Sequence, residues 1–352
     1  MITVYRYRVK SLNGLLNKQA KAVNYVWNFC NDTQKYALRW RKTWPSHFDL
    51  VGLTYGTSKE LGLLSDTINA VCFQYATSRK AKKKPYLRYR GQKSLGWIPL
   101  KGRNIKELPN GFRFNGRLFK VFKSRHLPVG SKIKDGTNFS RDTRGNWFLN
   151  VVVEYDNAPV RVINQAIGID LGLKTFATLS NGETFEHGKE YRALEIKLGK
   201  VQRARKKKQA RNIHAKISNK RADFNHKLST DIVNRFEIIA VGNVNAKNLA
   251  KTSMAKSVLD AGWSSFRSML AYKAVKHGVT YQEVNESFST QTCSNCGCLP
   301  DSRPKGIAGL GIRTFECSDC DFSIDRDVNA ARNILQKFGF GHEPLAVGIP
   351  AL

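Results

Sequence analysis

Four cysteines stand in two pairs, Cys293 and Cys296 in CSNC and Cys317 and Cys320 in CSDC, with twenty residues between the pairs. Each C-x2-C turn presents two sulfurs from one tight bend, and two such turns form a tetrahedral thiolate cage, so the spacing predicts one zinc ion. With four sulfurs and no open position that zinc is structural, contributing folding energy and no catalysis. Cys298 is a spare, and Cys30 and Cys72 stand apart from the cluster. Disulfides are the competing reading. Met1 leads into ITVYRYRVK, which is not a signal-peptide pattern, so a cytoplasmic chain is expected and metal is favoured.

Two carboxylates look chemical. Asp170 closes the apolar run AIGI, at the carboxyl end of what reads as a buried strand. A carboxylate there is costly unless a cation holds it, and ligands gather outside the carboxyl ends of parallel strands. A lone aspartate after a strand is, by itself, more often a cap or turn residue. Asp327 lies in IDRDVNAARNIL, at the start of a helix whose apolar positions are Val328, Ala331, Ile334 and Leu335. Capping is the bland role for it. Yet Asp325, Arg326, Asp327 and Asn329 make an unusually polar opening for a helix that must pack on a sheet.

The chain carries 59 lysines and arginines against 27 acids, a formal net charge of +32 over 352 residues. A surplus that large repels itself in the compact state, and phosphate neutralisation is the usual reason to carry it. Solubility alone needs far less. With 41% apolar residues and 11% aromatics the chain can build real cores, and two or three domains are expected. No run approaches the roughly 18 apolar residues of a membrane span. In the segment 78–93 the cations Lys82, Lys83, Lys84, Arg88 and Arg90 alternate with Tyr86 and Tyr89. Cations for a backbone and rings for stacking suit RNA; a solvated flexible loop is the alternative. A second basic stretch includes Lys206, Lys207 and Lys208 within 188–236, read as one long helix lying along a nucleic-acid duplex.

These residues need elements to position them. Residues 1–10 alternate like a strand, 11–75 show helical spacing, and 101–160 turn to strands with a hairpin at the RGN of residues 144–146. A small β-barrel or sheet is the economical reading, pairing with 1–10 so that the helical module is an insertion. From 166 on, the order is β-β-β-α-β-α-β and then a final helix after the cysteines. That order is the RNase H-like (RuvC) layout, a mixed sheet flanked by helices.

Four blocks, GIDLGLKTFATLSNG, DAGWSSFRSMLAYKA, STQTCSNCG and DRDVNAARNIL, resemble those of the TnpB family, transposon-encoded nucleases related to the type V CRISPR effectors. The resemblance is close over 166–336 and holds only in outline over 1–160. It implies an α/β protein with added β-barrel and helical module: a WED-like barrel from 1–10 and 101–160, and a REC-like helical insertion with a basic loop at 11–100. It further implies a RuvC nuclease core from 161–290 and 322–352, with a zinc ribbon inserted at 291–321. The implied activity is RNA-guided, magnesium-dependent cleavage of double-stranded target DNA beside a short flanking motif. The implied partners are a guide RNA transcribed from the transposon end and that DNA, with no membrane, in the cytoplasm near the nucleoid.

Asp170 matches the family's first catalytic aspartate and Asp327 its third acid. The second acid departs from the pattern: Gly242 stands where the family usually has glutamate, and Asn243 follows it. Either the protein is a nuclease-dead, RNA-guided DNA-binding repressor, or another acid has moved in. The strands ending at Gly242 and at Glu286 should be parallel neighbours about 5 Å apart, so Glu286 can reach the same two magnesium ions. Glu283 has the opposite side-chain parity, and Glu237 lies at the wrong end of its strand. A surface role for Glu286 is the bland alternative. A transposase acting by itself is disfavoured, because no tyrosine or histidine pair is offered for strand transfer.

Overall fold

The computed structural model describes residues 1–91, 94–162, 165–244, 255–305 and 308–339. The chain divides into two compact units, Met1–Asp156 and Asn157–Leu352. The stretch following Val244 and the last part of the expected 322–352 segment lie outside the described residues.

In the first unit, β1 (Ile2–Arg8) turns Tyr5 and Tyr7 inward and leaves Ile2 and Val4 exposed, the period-2 pattern of a strand with one covered face. It pairs antiparallel with the unit's last strand, in register from Ile2 opposite Glu154 to Arg8 opposite Phe148. Between them come α1 (Asn13–Arg39), α2 (His47–Leu53), α3 (Ser58–Leu61) and α4 (Ser65–Ala81). Helix α1 buries Leu16, Ala20, Val23, Trp27 and Cys30, a stripe at three- and four-residue spacing. Helix α2 starts at a capping box in which Ser46 and Asp49 satisfy each other's backbone N–H.

The strands that follow are β2 (Trp97–Pro99), β3 (Ile105–Leu108), β4 (Gly111–Phe114), β5 (Arg117–Lys120), β6 (Lys132–Ile133), β7 (Asn138–Arg141) and β8 (Trp147–Glu154). Strands β1, β8, β7 and β2 pair in that order with β6 also on β8, while β3, β4 and β5 form a second sheet. The β4–β5 hairpin closes on Asn115 and Gly116, both with positive φ, the turn that an Asn-Gly pair favours. The region expected to make a barrel is thus seen as two sheets. Helices and both sheets share one apolar core.

The second unit begins with β9 (Ala166–Leu171), β10 (Ala177–Leu179), β11 (Thr184–Phe185), α5 (Glu190–Arg203), α6 (Lys207–Arg235) and β12 (Ile238–Gly242). Then come α7 (Ala255–Ala261), α8 (Trp263–His277), β13 (Thr280–Val284), β14 (Thr314–Glu316), β15 (Ser323–Asp325) and α9 (Arg326–Lys337). The sheet order is β11-β10-β9-β12-β13. Strands β9, β12 and β13 run parallel, and β10 is antiparallel to its neighbours. This is a mixed α/β layer with the element order the sequence pattern anticipates.

One expectation is corrected. Residues 188–236 do not form a single helix: the chain reverses after α5, with Arg205 in the left-handed region at φ 52, and α6 returns beside it. Leu198, Ile213 and Ile217 seal this hairpin.

Side-chain parity divides the sheet. Ile167, Ile169, Ile239 and Val241 face one core with residues of α6 and α8, whereas Ala240 and Val284 face Ile334 and Leu335 of α9. Helix α9 lies so close to β9 that a Cβ on Gly168 would stand 2.0 Å from the Ala331 carbonyl oxygen. Only glycine admits that approach.

Candidate active site and cysteine centre

Asp170, Gly242 and Val284 fall near the carboxyl ends of three adjacent parallel strands, with residues of the α9 face between them. Strand β13 ends at Val284 and not at Glu286, and it is Val284 that pairs with Gly242. Glu286 lies two residues further, in the turn after the strand, and keeps the same parity. Its carboxylate folds back over the neighbouring strand: Oε2 stands 3.1 Å from the point where a Cβ on Gly242 would be, beside Ile334 Cδ1 at the same distance. Asn243 braces this turn, its backbone N–H donating to the Val284 carbonyl at 2.9 Å and its Oδ1 accepting from the Glu286 N–H at 3.4 Å. Glu283 is on the other face, paired with Arg267 of α8 at 3.1 Å. Glu237 precedes β12 and accepts the Gln165 N–H at 2.9 Å.

Asp327 sits in the first turn of α9, yet it is not the cap. Asp325 is, its Oδ1 accepting from the backbone N–H of Asp327 and of Val328. The Asp327 carboxylate is therefore available for other partners, and it is held by Arg313 at 3.4 Å and Arg326 at 3.6 Å.

Asp170 feels the other two acids. Burial, with the charges of Asp327 and Glu286 beside it, pushes the Asp170 carboxyl up to about 7. Burial also raises Glu286, against the opposing pull of Arg267 and Lys337. A cation would relieve the crowding of negative charge at Asp170, which is the electrostatic sense in which these acids suit a divalent metal.

The cysteine centre is more compact. Among the described residues Cys293, Cys296, Cys317 and Cys320 are the one group of three or more histidine, cysteine or acidic side chains already drawn together around a point a metal ion could take, with all ligand atoms within 4.8 Å; the three acids are not gathered so tightly. Cys293 and Cys320 sulfurs are 3.7 Å apart, as are those of Cys296 and Cys317. A tetrahedral zinc with bonds of about 2.3 Å needs sulfurs about 3.8 Å apart. The two turns share one construction: Gly297 and Asp321, each directly after a second cysteine, both take positive φ, and their N–H groups return to the Cys293 and Cys317 carbonyls. Burial pushes the Cys293 thiol to about 12, while the backbone N–H of Phe322 draws Cys320 down to about 7.

The basic segments are placed differently from one another. Residues 86–91 are not a free loop but are strapped along α1. Asn28 bonds the Arg90 backbone in both directions, Asn31 accepts the Leu87 N–H, Trp27 donates to the Arg88 carbonyl, and the Tyr89 hydroxyl bonds Asp32. This strap turns Tyr86 and Arg88 outward. Arg90 goes inward instead, its guanidinium 3.8 Å from the centre of the Trp27 ring and 5.0 Å from that of Trp97. Lys82, Lys83 and Lys84 are exposed where α4 ends. Lys206, Lys207 and Lys208 are exposed at the tip of the α5–α6 hairpin.

Comparison with known proteins bears on this geometry. Residues 150–253 match the OrfB_IS605 family, described as "Probable transposase", and residues 263–334 match the Cas12f1-like TNB domain. A Streptomyces pristinaespiralis protein named "Putative RNA-guided DNA endonuclease" is 36% identical over 226 residues, 60% of this chain and 54% of that protein. The "TnpB-like protein L770" of Acanthamoeba polyphaga mimivirus is 30% identical over 275 residues, 68% of this chain and 51% of that protein. The chain is thus similar to proteins named as TnpB-like and as RNA-guided DNA endonucleases. It spans about half the length of the curated relatives it matches. A solved Cas12f1–sgRNA–target DNA complex superposes with a TM-score of 0.40 at 14% identity, covering 95% of this chain and 99% of that one. Among the described residues no helix is long and apolar enough to cross a membrane.

Arg313, Asn333 and Gln336 escaped the sequence reading, and Asn329 was noted there only as part of a polar helix opening. Arg313 pairs with Asp327 from the cysteine-bearing segment, and no local pattern marks it. Asn329, Asn333 and Gln336 bond the backbone around Cys293, and their three- and four-residue spacing was the available signal.

Proposed function

We propose that this chain is an RNA-guided DNA endonuclease whose RNase H-like (RuvC) core carries Asp170, Glu286 and Asp327 as its metal-binding acids. The observation that carries the reading is the Glu286 side chain filling the space beside Gly242, on the face that Asp170 and Asp327 share. Similarity to relatives named as RNA-guided DNA endonucleases and TnpB-like proteins supports it. Two magnesium ions held there would activate a water and stabilise the leaving oxygen of a phosphodiester.

The protein's own part is to bring a carboxylate near the end of β9 together with one just past β13 and one in the first turn of α9. Asp170, buried and raised further by the charges of Asp327 and Glu286, would hold divalent metal together with those two acids. No side-chain nucleophile is required. Arg313 neutralises Asp327 and is placed to meet phosphate charge. The four cysteines fit one structural zinc, which would hold the segments flanking the acids. In the unit of residues 1–156, the surface of Lys82, Lys83, Lys84, Tyr86 and Arg88 is assigned to guide RNA. In the other unit, the hairpin tip at Lys206, Lys207 and Lys208 is assigned to a duplex. Target choice then rests on guide pairing, with the protein reading a short flanking motif.

The test is cleavage of a plasmid carrying the guide-matched sequence by the purified ribonucleoprotein, with and without magnesium. Guide- and metal-dependent cutting is the expected result. Guide-directed binding without any cutting would overturn the nuclease assignment and leave a repressor.

A further inference from the structure

Helix α9 has two working faces. One packs Ile334 and Leu335 on the sheet. The other carries three amides, Asn329, Asn333 and Gln336, whose spacing by four and three residues aligns them along the helix. Asn329 accepts the Ser294 N–H at 2.9 Å and donates to the Thr292 carbonyl at 2.7 Å. Asn333 donates to the Ser289 and Thr292 carbonyls, both at 2.7 Å. Gln336 donates to the Ser294 carbonyl at 2.7 Å. All these bonds end on the backbone of residues 289–294, and Asn329 and Asn333 are almost wholly buried at 0% and 2% exposure.

That backbone joins the two chemical centres. Ser289 donates its N–H to the Glu286 carbonyl at 2.9 Å, and Cys293 lies between the two bonded residues Thr292 and Ser294. The helix making the bonds carries Asp327, two residues before Asn329. An apolar contact between a helix and a loop tolerates sliding, whereas directional bonds to successive carbonyls fix register. We infer that Asn329, Asn333 and Gln336 are positioning residues that set the spacing of Glu286 relative to Asp327, and that the cysteine centre steadies the acids through them. The inference rests on the reading of these acids as divalent-metal ligands.

The test uses the full chain with its guide RNA and Mn2+ as the probe, its affinity measured by calorimetry alongside zinc content, guide-directed DNA binding and melting temperature. Asn333→Ala is expected to weaken Mn2+ binding about tenfold, the usual effect of removing an outer partner of a metal ligand, with DNA binding and one zinc per chain retained. Gln336→Ala, which loses a single bond at the partly exposed end of the row, should show a smaller loss and serves if Asn333→Ala does not fold. Ile239→Val, on the opposite face of the sheet, is the control: it lowers stability without touching the amides and should leave Mn2+ affinity unchanged. Mn2+ affinity in Asn333→Ala or Gln336→Ala equal to that of the unmodified chain overturns the inference, as does an equal loss in Ile239→Val. If Glu286→Gln fails to weaken Mn2+ binding, the metal-ligand reading itself falls; if it does weaken it and the amide variants do not, only the positioning role falls.

Discussion

The Glu286 carboxylate lies tight against Gly242: its Oε2 is 3.1 Å from where a β-carbon on the glycine would stand. A side chain at 242 would press on the acid at 286, which must then give by a few tenths of an ångström. Gly242→Ala should therefore push Glu286 aside and slow cleavage by ten- to a hundredfold, on the scale of a displaced catalytic group, while the melting temperature changes little. Gly242→Glu should restore cutting when combined with Glu286→Ala. It should fail with Glu286→Gln, because glutamine leaves the space filled. Cleavage of guide-matched plasmid reads all three.

Removing any one acid should cost several kcal/mol of transition-state stabilisation, a loss of at least about 10² in rate. Asp170→Ala, Asp327→Ala and Glu286→Gln are expected to stop cutting and to spare guide-directed binding in a gel-shift assay. Glu283→Gln, whose partner is Arg267 on the other face, should cut normally. Full activity in Glu286→Gln would sink the relocated acid.

Asp170 gives a pH signature. Its ordinary value of 3.8 rises to about 7 in the fold, so the folded chain holds a proton that the unfolded chain has already released. The stabilising contribution of that proton is complete below pH 4 and is lost as pH rises through about 7. A bound divalent ion competes with the same proton. Mn2+ affinity should therefore climb up to about pH 7 and level off above it, with proton release seen by calorimetry at pH 6 and absent at pH 8.

Cys317→Ser should abolish stoichiometric zinc in elemental analysis and loosen the segment from 293 through α9. Hydrogen exchange is the sensitive readout, since a structural zinc site contributes its binding energy to folding. Faster exchange should reach α9 while the amides of β1 and β8 stay protected. Unaltered exchange in α9 would separate the cysteine centre from the acids.

Lys82, Lys83 and Lys84 project into solvent where α4 ends, so their charges are available to phosphate. Replacing all three with alanine should weaken guide-RNA binding and lower the slope of log affinity against log salt by up to roughly three units. Arg90→Ala should instead lower the melting temperature, because that guanidinium is packed between two tryptophan rings. An unchanged salt slope would leave the lysines a merely solvated turn.

Much of this was legible in the residues, for physical reasons. Asp170 and Gly242 each close an apolar run, so both could be put near strand ends, and the resemblance to TnpB sets Gly242 where that family usually has glutamate. Parity separated Glu286 from Glu283. The end of β13 at Val284 was not legible, because strand ends depend on hydrogen-bond register between distant segments. Nor was the reversal at Arg205: a left-handed residue that is neither glycine nor asparagine gives no turn signal, and a run of cations hides periodicity. Asn329 and Asn333 read as polar interruptions of a helix, since their partners lie some forty residues earlier.

The pairing of β1 with β8 leaves the first unit's two ends side by side, with the Met1 ammonium donating to the Tyr155 carbonyl at 2.6 Å. Topologically the four helices are then a long excursion from β1 at one edge of the sheet to β2 at the other. Loop closure depends only weakly on the length of such an excursion. Extra residues at the turns between the helices would leave the ladder intact, whereas the helices' buried stripes are held to their lengths by the core they share with both sheets.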